Sequence, residues 1–173
     1  ALHLRQTDIL AGKTYFFNEW VRVFRNLSEV KDSTAAQQLY ALTVRAGLLI
    51  AVSCDSLRGL DAAVLTQSVA QYGSVSWWAV FAQDYALAEK AGLRCLALDS
   101  TQTYVWTNIG HARWLAGKPK EAKTAWLHLR GKSDGNNKAY NVVLEADWQA
   151  FEAAKVVPAG VFEAARKWLK AEW

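Results

Sequence analysis

Apolar residues recur along this chain at intervals of three and four, and almost never in strict alternation with polar ones. That rhythm is the mark of helices buried along one side, and it argues against strands. Leu2 to Ala11 reads as a short helix closed by Gly12. From Thr14 to Ser28, Phe17, Trp20, Val21, Phe24 and Leu27 fall on one side, opposite Asn18, Glu19, Arg22, Arg25 and Asn26, with Thr14 placed to cap the start. Ala35 to Val52 is apolar nearly all round. A helix from about Ser56 to Gln71 is predicted to break at Gly73, with Trp77, Trp78 and Phe81 opening the next pair and Tyr85 to Leu98 completing it.

Thr103 to Ala116 carries its stripe on Val105, Ile109 and Ala112 and ends at Gly117. Lys118-Pro119 opens a further helix, since proline is tolerated in a first turn, with Ala122, Trp126 and Leu129 inward. Gly131 to Asn137 has turn chemistry. Two last helices are expected over about Lys138 to Ala154 and Ala159 to Lys170, the second striped by Val161, Ala165, Trp168 and Leu169. The expected fold is therefore all-α: about ten short helices, whose brief connections force antiparallel hairpins.

Spacing then distinguishes a bundle from a stack of repeats. The run Trp106-Thr107-Asn108-Ile109-Gly110-His111-Ala112, followed by Gly117, Ala122, Trp126 and Leu129, resembles a tetratricopeptide repeat. Cys95-Leu96-Ala97-Leu98-Asp99 resembles the close of the repeat before it. Leu10-Ala11-Gly12-Lys13 returns as Leu115-Ala116-Gly117-Lys118, 105 positions later and close to three units of about 34 residues. Arg113 stands where the family has an aromatic, Trp78 stands where it has a small residue, and the closing proline is missing. In this frame Gly110 and Ala112 let paired helices cross closely, and Trp106 and Trp126 fill the wedges between hairpins.

The resemblance implies a short right-handed α-solenoid over residues 1–136. Residues 137–173 would be a terminal helical pair like those that follow such repeats in some bacterial proteins, covering the last apolar face within a single structural unit. It implies a protein-binding or adaptor role, with no catalytic residues and no cofactor. Tyr104, Thr107, Asn108, His111 and Trp114 would line a concave groove, joined by Trp77, and His111 would face that groove or solvent. An amide there suits a peptide backbone, and an aromatic suits a side chain. Thr107 and His111 stand at two of the points where chaperone-binding members carry a basic clamp, so chaperone tails are not the expected ligand.

Composition adds limits. Cys54 and Cys95 are the only cysteines, have no metal-ligand spacing, and lie in apolar stretches, which predicts inert core thiols. His3, His111 and His128 are too scattered to hold a metal. Gly12-Lys13-Thr14 lacks the first glycine of a phosphate loop, Thr7 standing there instead. Ser28-Glu29-Val30-Lys31 matches a penicillin-interacting motif without its partner motifs. The net charge of +4 is a mild excess. Lys118, Lys120, Lys123, Arg130, Lys132 and Lys138 against Glu121 and Asp134 read as a solvated face, with nucleic-acid binding as the less favoured alternative. The longest apolar run, Ala46 to Val52, is too short to cross a bilayer, so no membrane span is expected. A cytoplasmic location is expected, or a periplasmic or secreted one if a leader preceded Ala1. The chain has no methionine, which raises the alternative that it is the regulatory or scaffold part of a larger enzyme, linked to an upstream domain.

Overall fold

A computed structural model describes residues 33–173 apart from Leu60. The two helices expected before Lys31, and the echo at Leu10 to Lys13, lie outside the described residues. The described residues form seven α-helices and no strand: α1 (Ser33–Leu57), α2 (Ala62–Phe81), α3 (Tyr85–Leu98), α4 (Val105–Leu115), α5 (Pro119–Leu127), α6 (Tyr140–Ala153) and α7 (Glu163–Glu172). The all-helical expectation holds over this range.

Two boundaries differ from the reading of the sequence. The break falls after Leu57, not between Val52 and Ser56, because Asp61 caps α2 by accepting the Ala63 N–H at 2.8 Å. Gly73 breaks nothing. It lies inside α2, where its missing Cβ makes room for the Tyr104 hydroxyl from α4. A mid-helix glycine costs about 1 kcal/mol of helix propensity, and here that cost is set against a close helix contact.

Consecutive helices from α1 to α5 pack on one another, and α2 also meets α4. The links between paired helices are built alike. After α2, the N–H groups of Ala82, Gln83 and Asp84 bond to the carbonyls of Trp78, Val80 and Ala79. After α4, those of Ala116, Gly117 and Lys118 bond to Ala112, Trp114 and Arg113, so every donor and acceptor is shifted by 34 positions. After α6 the same three bonds recur at Ala154, Lys155 and Val156, a further 38 positions along. The middle residue of each turn is left-handed: Gln83 (φ 60°), Gly117 (φ 77°) and Lys155 (φ 55°). Only one of the three is the glycine that tolerates this φ without strain.

A smaller core joins Ile50, Cys54 and Val64, and the larger one runs from Val44 to Leu169. At its centre Trp126 is fully buried, with its indole against Gly110, where a Cβ would fall inside the ring. The close crossing expected of Gly110 is therefore present. Both cysteines are buried, and burial raises the Cys95 thiol to about 11, which keeps it protonated.

Two charged junctions tie helices together. Asp55 of α1 takes both a 2.8 Å bond from Arg94 Nε and one from Arg94 Nη2 in α3, and a 2.6 Å bond from Arg58. Arg166 of α7 bonds Glu145 and Glu152 of α6 and Glu163 of its own helix, at 3.0–3.2 Å. Burial works to raise the Asp55 pKa, but the bonds and charge of Arg94, then of Arg58, outweigh it and hold it below the usual range. The Arg166 bond holds Glu152 low in the same way.

By length and composition, Thr34–Leu57 is apolar enough to cross a membrane, and 33% of that window is buried in the fold. The Ala46 to Val52 run is one part of this longer helix, in which Thr43, Arg45 and Ser53 interrupt the apolar residues. Val44, Ile50, Ala51 and Cys54 face inward, while Leu42, Leu49 and Val52 are exposed.

Gly110→Ala is expected to lower stability by about 2 kcal/mol or more through overpacking against Trp126. Gly135→Ala, whose Cβ would meet nothing within 4 Å, should stay within about 0.5 kcal/mol; urea unfolding of both variants checks the contrast. The two carboxylates have folded pKa values below their unfolded ones of about 3.9 and 4.3. Their contribution is complete above those values and is lost as pH falls through the lower, folded ones. Urea midpoints should therefore drop between about pH 5 and pH 3, with a smaller drop in Arg166→Met.

Candidate functional site

The six residues expected to line a groove do not share an open surface. Thr107, Asn108 and His111 are 4%, 3% and 0% exposed. Asn108 directs its Nδ2 at the Gly73 carbonyl of α2 (3.5 Å) and accepts the Thr107 hydroxyl at 3.1 Å. Its amide thus serves the α2–α4 contact and is not offered to a peptide backbone.

His111, Trp114 and Trp77 are covered by the segment that joins and contains the last two helices. Trp148 Nε1–H donates to His111 Nδ1 at 3.1 Å, and His111 Nε2 lies 3.1 Å from Asp147 Oδ2. An indole can only donate. Nδ1 is therefore the bare nitrogen, and Nε2 carries the proton that Asp147 accepts. Around this imidazole stand Trp126, Trp148, Phe151 and Phe162, with ring centroids 5.2–6.4 Å away. The expectation that His111 faces groove or solvent is corrected: both ring nitrogens are used, and the ring is enclosed.

Trp114 Nε1–H donates to the Val161 carbonyl at 3.0 Å. Trp77 packs against Phe151 at 5.1 Å, and Phe151 also reaches Phe81 at 5.0 Å. Gln83 Nε2 donates to the Val156 carbonyl at 2.7 Å. Residues 147–162 thus lie across the C-terminal halves of α2 and α4. Each fully buried aromatic there contributes roughly 2–3 kcal/mol.

Tyr104 is the exception. The residue is 39% exposed, while burial around its hydroxyl, beside Gly73 and Cys95, raises its pKa to about 12. It borders an open cleft of about 280 Å³, lined also by Leu65, Thr66, Val69 and Ala70 of α2 and by Leu98, Asp99 and Gln102 at the α3–α4 link. Ala70 precedes Tyr104 by 34 positions, the spacing of the repeated turns. The α2 and link residues were missed in the sequence because their contribution depends on where α2 passes α4.

Among the described residues no group of three or more His, Cys, Asp or Glu could hold a metal ion. In the basic stretch, Lys118 lies 3.8 Å from Glu89, Lys123 sits over the Trp168 ring, and Asp134 accepts the Asn136 and Lys138 N–H groups. No protein family profile, characterised protein or solved structure matches the chain.

His111→Phe keeps ring volume but leaves the Trp148 N–H unpaired, and should cost about 1–3 kcal/mol. His111→Ala adds a cavity and should cost at least about 1 kcal/mol more. Chemical unfolding measures both; a neutral His111→Phe would show that the imidazole is not required.

Proposed function

We propose that this chain is a protein-interaction module, built as a short α-solenoid of tetratricopeptide-like hairpins, that binds a peptide or protein segment. The observation that carries the reading is the turn repeated 34 residues apart after α2 and α4, together with the cleft beside Tyr104 on these same two helices. Regular hairpins stack their first helices side by side and leave a continuous surface along them, where this architecture binds its ligands. Part of that surface is filled by residues 147–162 of the same chain. The part at Leu65 to Ala70 and Tyr104 is open to a partner.

The groove assignment is thereby narrowed. Of the residues first expected to bind, Tyr104 keeps that role. Trp77, Thr107, Asn108, His111 and Trp114 hold the fold that presents it.

Selection of twelve-residue peptides displayed on phage tests the reading. Sequence-related binders are expected. Their addition to isotope-labelled protein should shift NMR signals of Leu65 to Ala70 and Leu98 to Tyr104, and leave those of Trp148, Phe151 and Phe162 in place. A selection yielding no more binders than an unrelated helical protein of the same size would refute it.

A further inference from the structure

We propose that the cleft between α2 and the start of α4 takes an extended peptide segment that carries a lysine or arginine next to an aliphatic side chain, a specificity that rests on the interaction function proposed above. The apolar part of the site is Leu65, Val69 and Ala70 on α2 with Leu98 at the end of α3. At about 280 Å³ the cleft lies at the small end of ligand pockets. That suits one or two side chains of a strand and not a folded domain.

Asp99 sets the charge. It is the C-cap of α3, fixed by its own N–H to the Cys95 carbonyl at 2.9 Å. Its Oδ1 accepts the Thr101 N–H (2.9 Å) and hydroxyl (2.6 Å), and its Oδ2 accepts Gln102 Nε2 (2.8 Å). A carboxylate offers about four acceptor positions, so one stays available. The Thr101 hydroxyl, then the Gln102 amide and the Thr101 N–H, hold its pKa below the usual range, so it stays ionised. Every one of these donors is neutral, and no lysine or arginine pairs with Asp99 among the described residues. Asp55, Glu89, Glu145, Glu152 and Glu163 have cationic partners, and of the carboxylates without one among the described residues, Asp61 and Asp84 cap helices away from the cleft lining. A preorganised, uncompensated carboxylate at the lip of an apolar cleft attracts a cation whose neighbour fills the cleft.

Thr66 supplies a test that leaves the fold alone. It is exposed on the cleft rim, and among the described residues its hydroxyl bonds to the Ala62 carbonyl of its own helix. The probes are Gly/Ser nonapeptides with a central Leu-Lys, Leu-Gln or Leu-Glu, titrated into labelled protein and followed by NMR. The expected order of affinity is Lys, then Gln, then Glu. Thr66→Glu should tighten the Leu-Lys peptide about threefold and Thr66→Lys should weaken it by a similar factor, both effects shrinking in high salt. Asp99→Asn, which keeps an acceptor for Thr101, should flatten the order.

Equal affinity for the three peptides, or an order that ignores both Thr66 variants, overturns the proposal. If none of the three binds while phage-selected peptides do, the charge specificity fails and the interaction function stands. If neither set binds, both fail.

Discussion

The indole of Trp126 occupies the space that Gly110 leaves by having no side chain, and much of the fold follows from that one approach. The ring is buried from both helices of its hairpin, with its Nε1–H aimed at the Thr107 carbonyl (3.4 Å). Its exposed edges would be a large apolar liability, and Trp114, His111, Trp148 and Trp168 cover them, at ring separations of 5.3–5.9 Å. From there contacts pass through Phe151 to Phe81 and on to Tyr40 of α1. Rings of this size cannot shift by a residue without opening voids, so the column fixes how far each helix slides along the next.

Apolar packing alone does not choose a register. The polar atoms inside the column do so, because each has few acceptable partners and a buried unpaired one is costly. His111 can satisfy Trp148 and Asp147 together in only one tautomer and one ring orientation. That ties α4 to α6 at a single setting. Arg166, bridging Glu145 and Glu152, does the same for α7 against α6. Asp55 with Arg94 ties α1 to α3.

Much of this architecture was legible in the chain, for local reasons. The stripe on Val105, Ile109 and Ala112, the Lys118-Pro119 start and the small Gly110 all report on neighbours a few residues away, and the structure agrees with each. The repeat was harder to read. Gln83 and Lys155 adopt the same left-handed turn as Gly117, and neither residue type advertises it, so one turn of three was visible. Gly73 misled because a glycine that ends a helix and one that admits a tyrosine look the same in one dimension. The candidate site divided on the same principle. Tyr104 borders the open cleft, while the fate of His111, Trp114 and Trp77 depends on aromatic residues up to 74 positions away. Trp148, Phe151 and Phe162 carried a clue, since three large rings on a terminal helical pair need a surface to cover.

That surface follows from the spacing of the turns. Hairpins set at a constant interval contact only their neighbours. The third turn comes 38 residues after the second, the extra length falling in a stretch that contains the loop closed by Asp134 and the Ser133–Ala139 bridge. With it, α6 reaches past α4, and Phe151 meets Trp77 and Phe81 of α2. The last hairpin thereby covers the C-terminal halves of α2 and α4, and Tyr140 at its start bonds Thr103 just before α4. The six candidate residues divide accordingly, with Tyr104 exposed beside the cleft, Trp77 and Trp114 partly buried under that cover, and Thr107, Asn108 and His111 buried. Asp99 has neutral hydrogen-bond donors on one side and the cleft on the other.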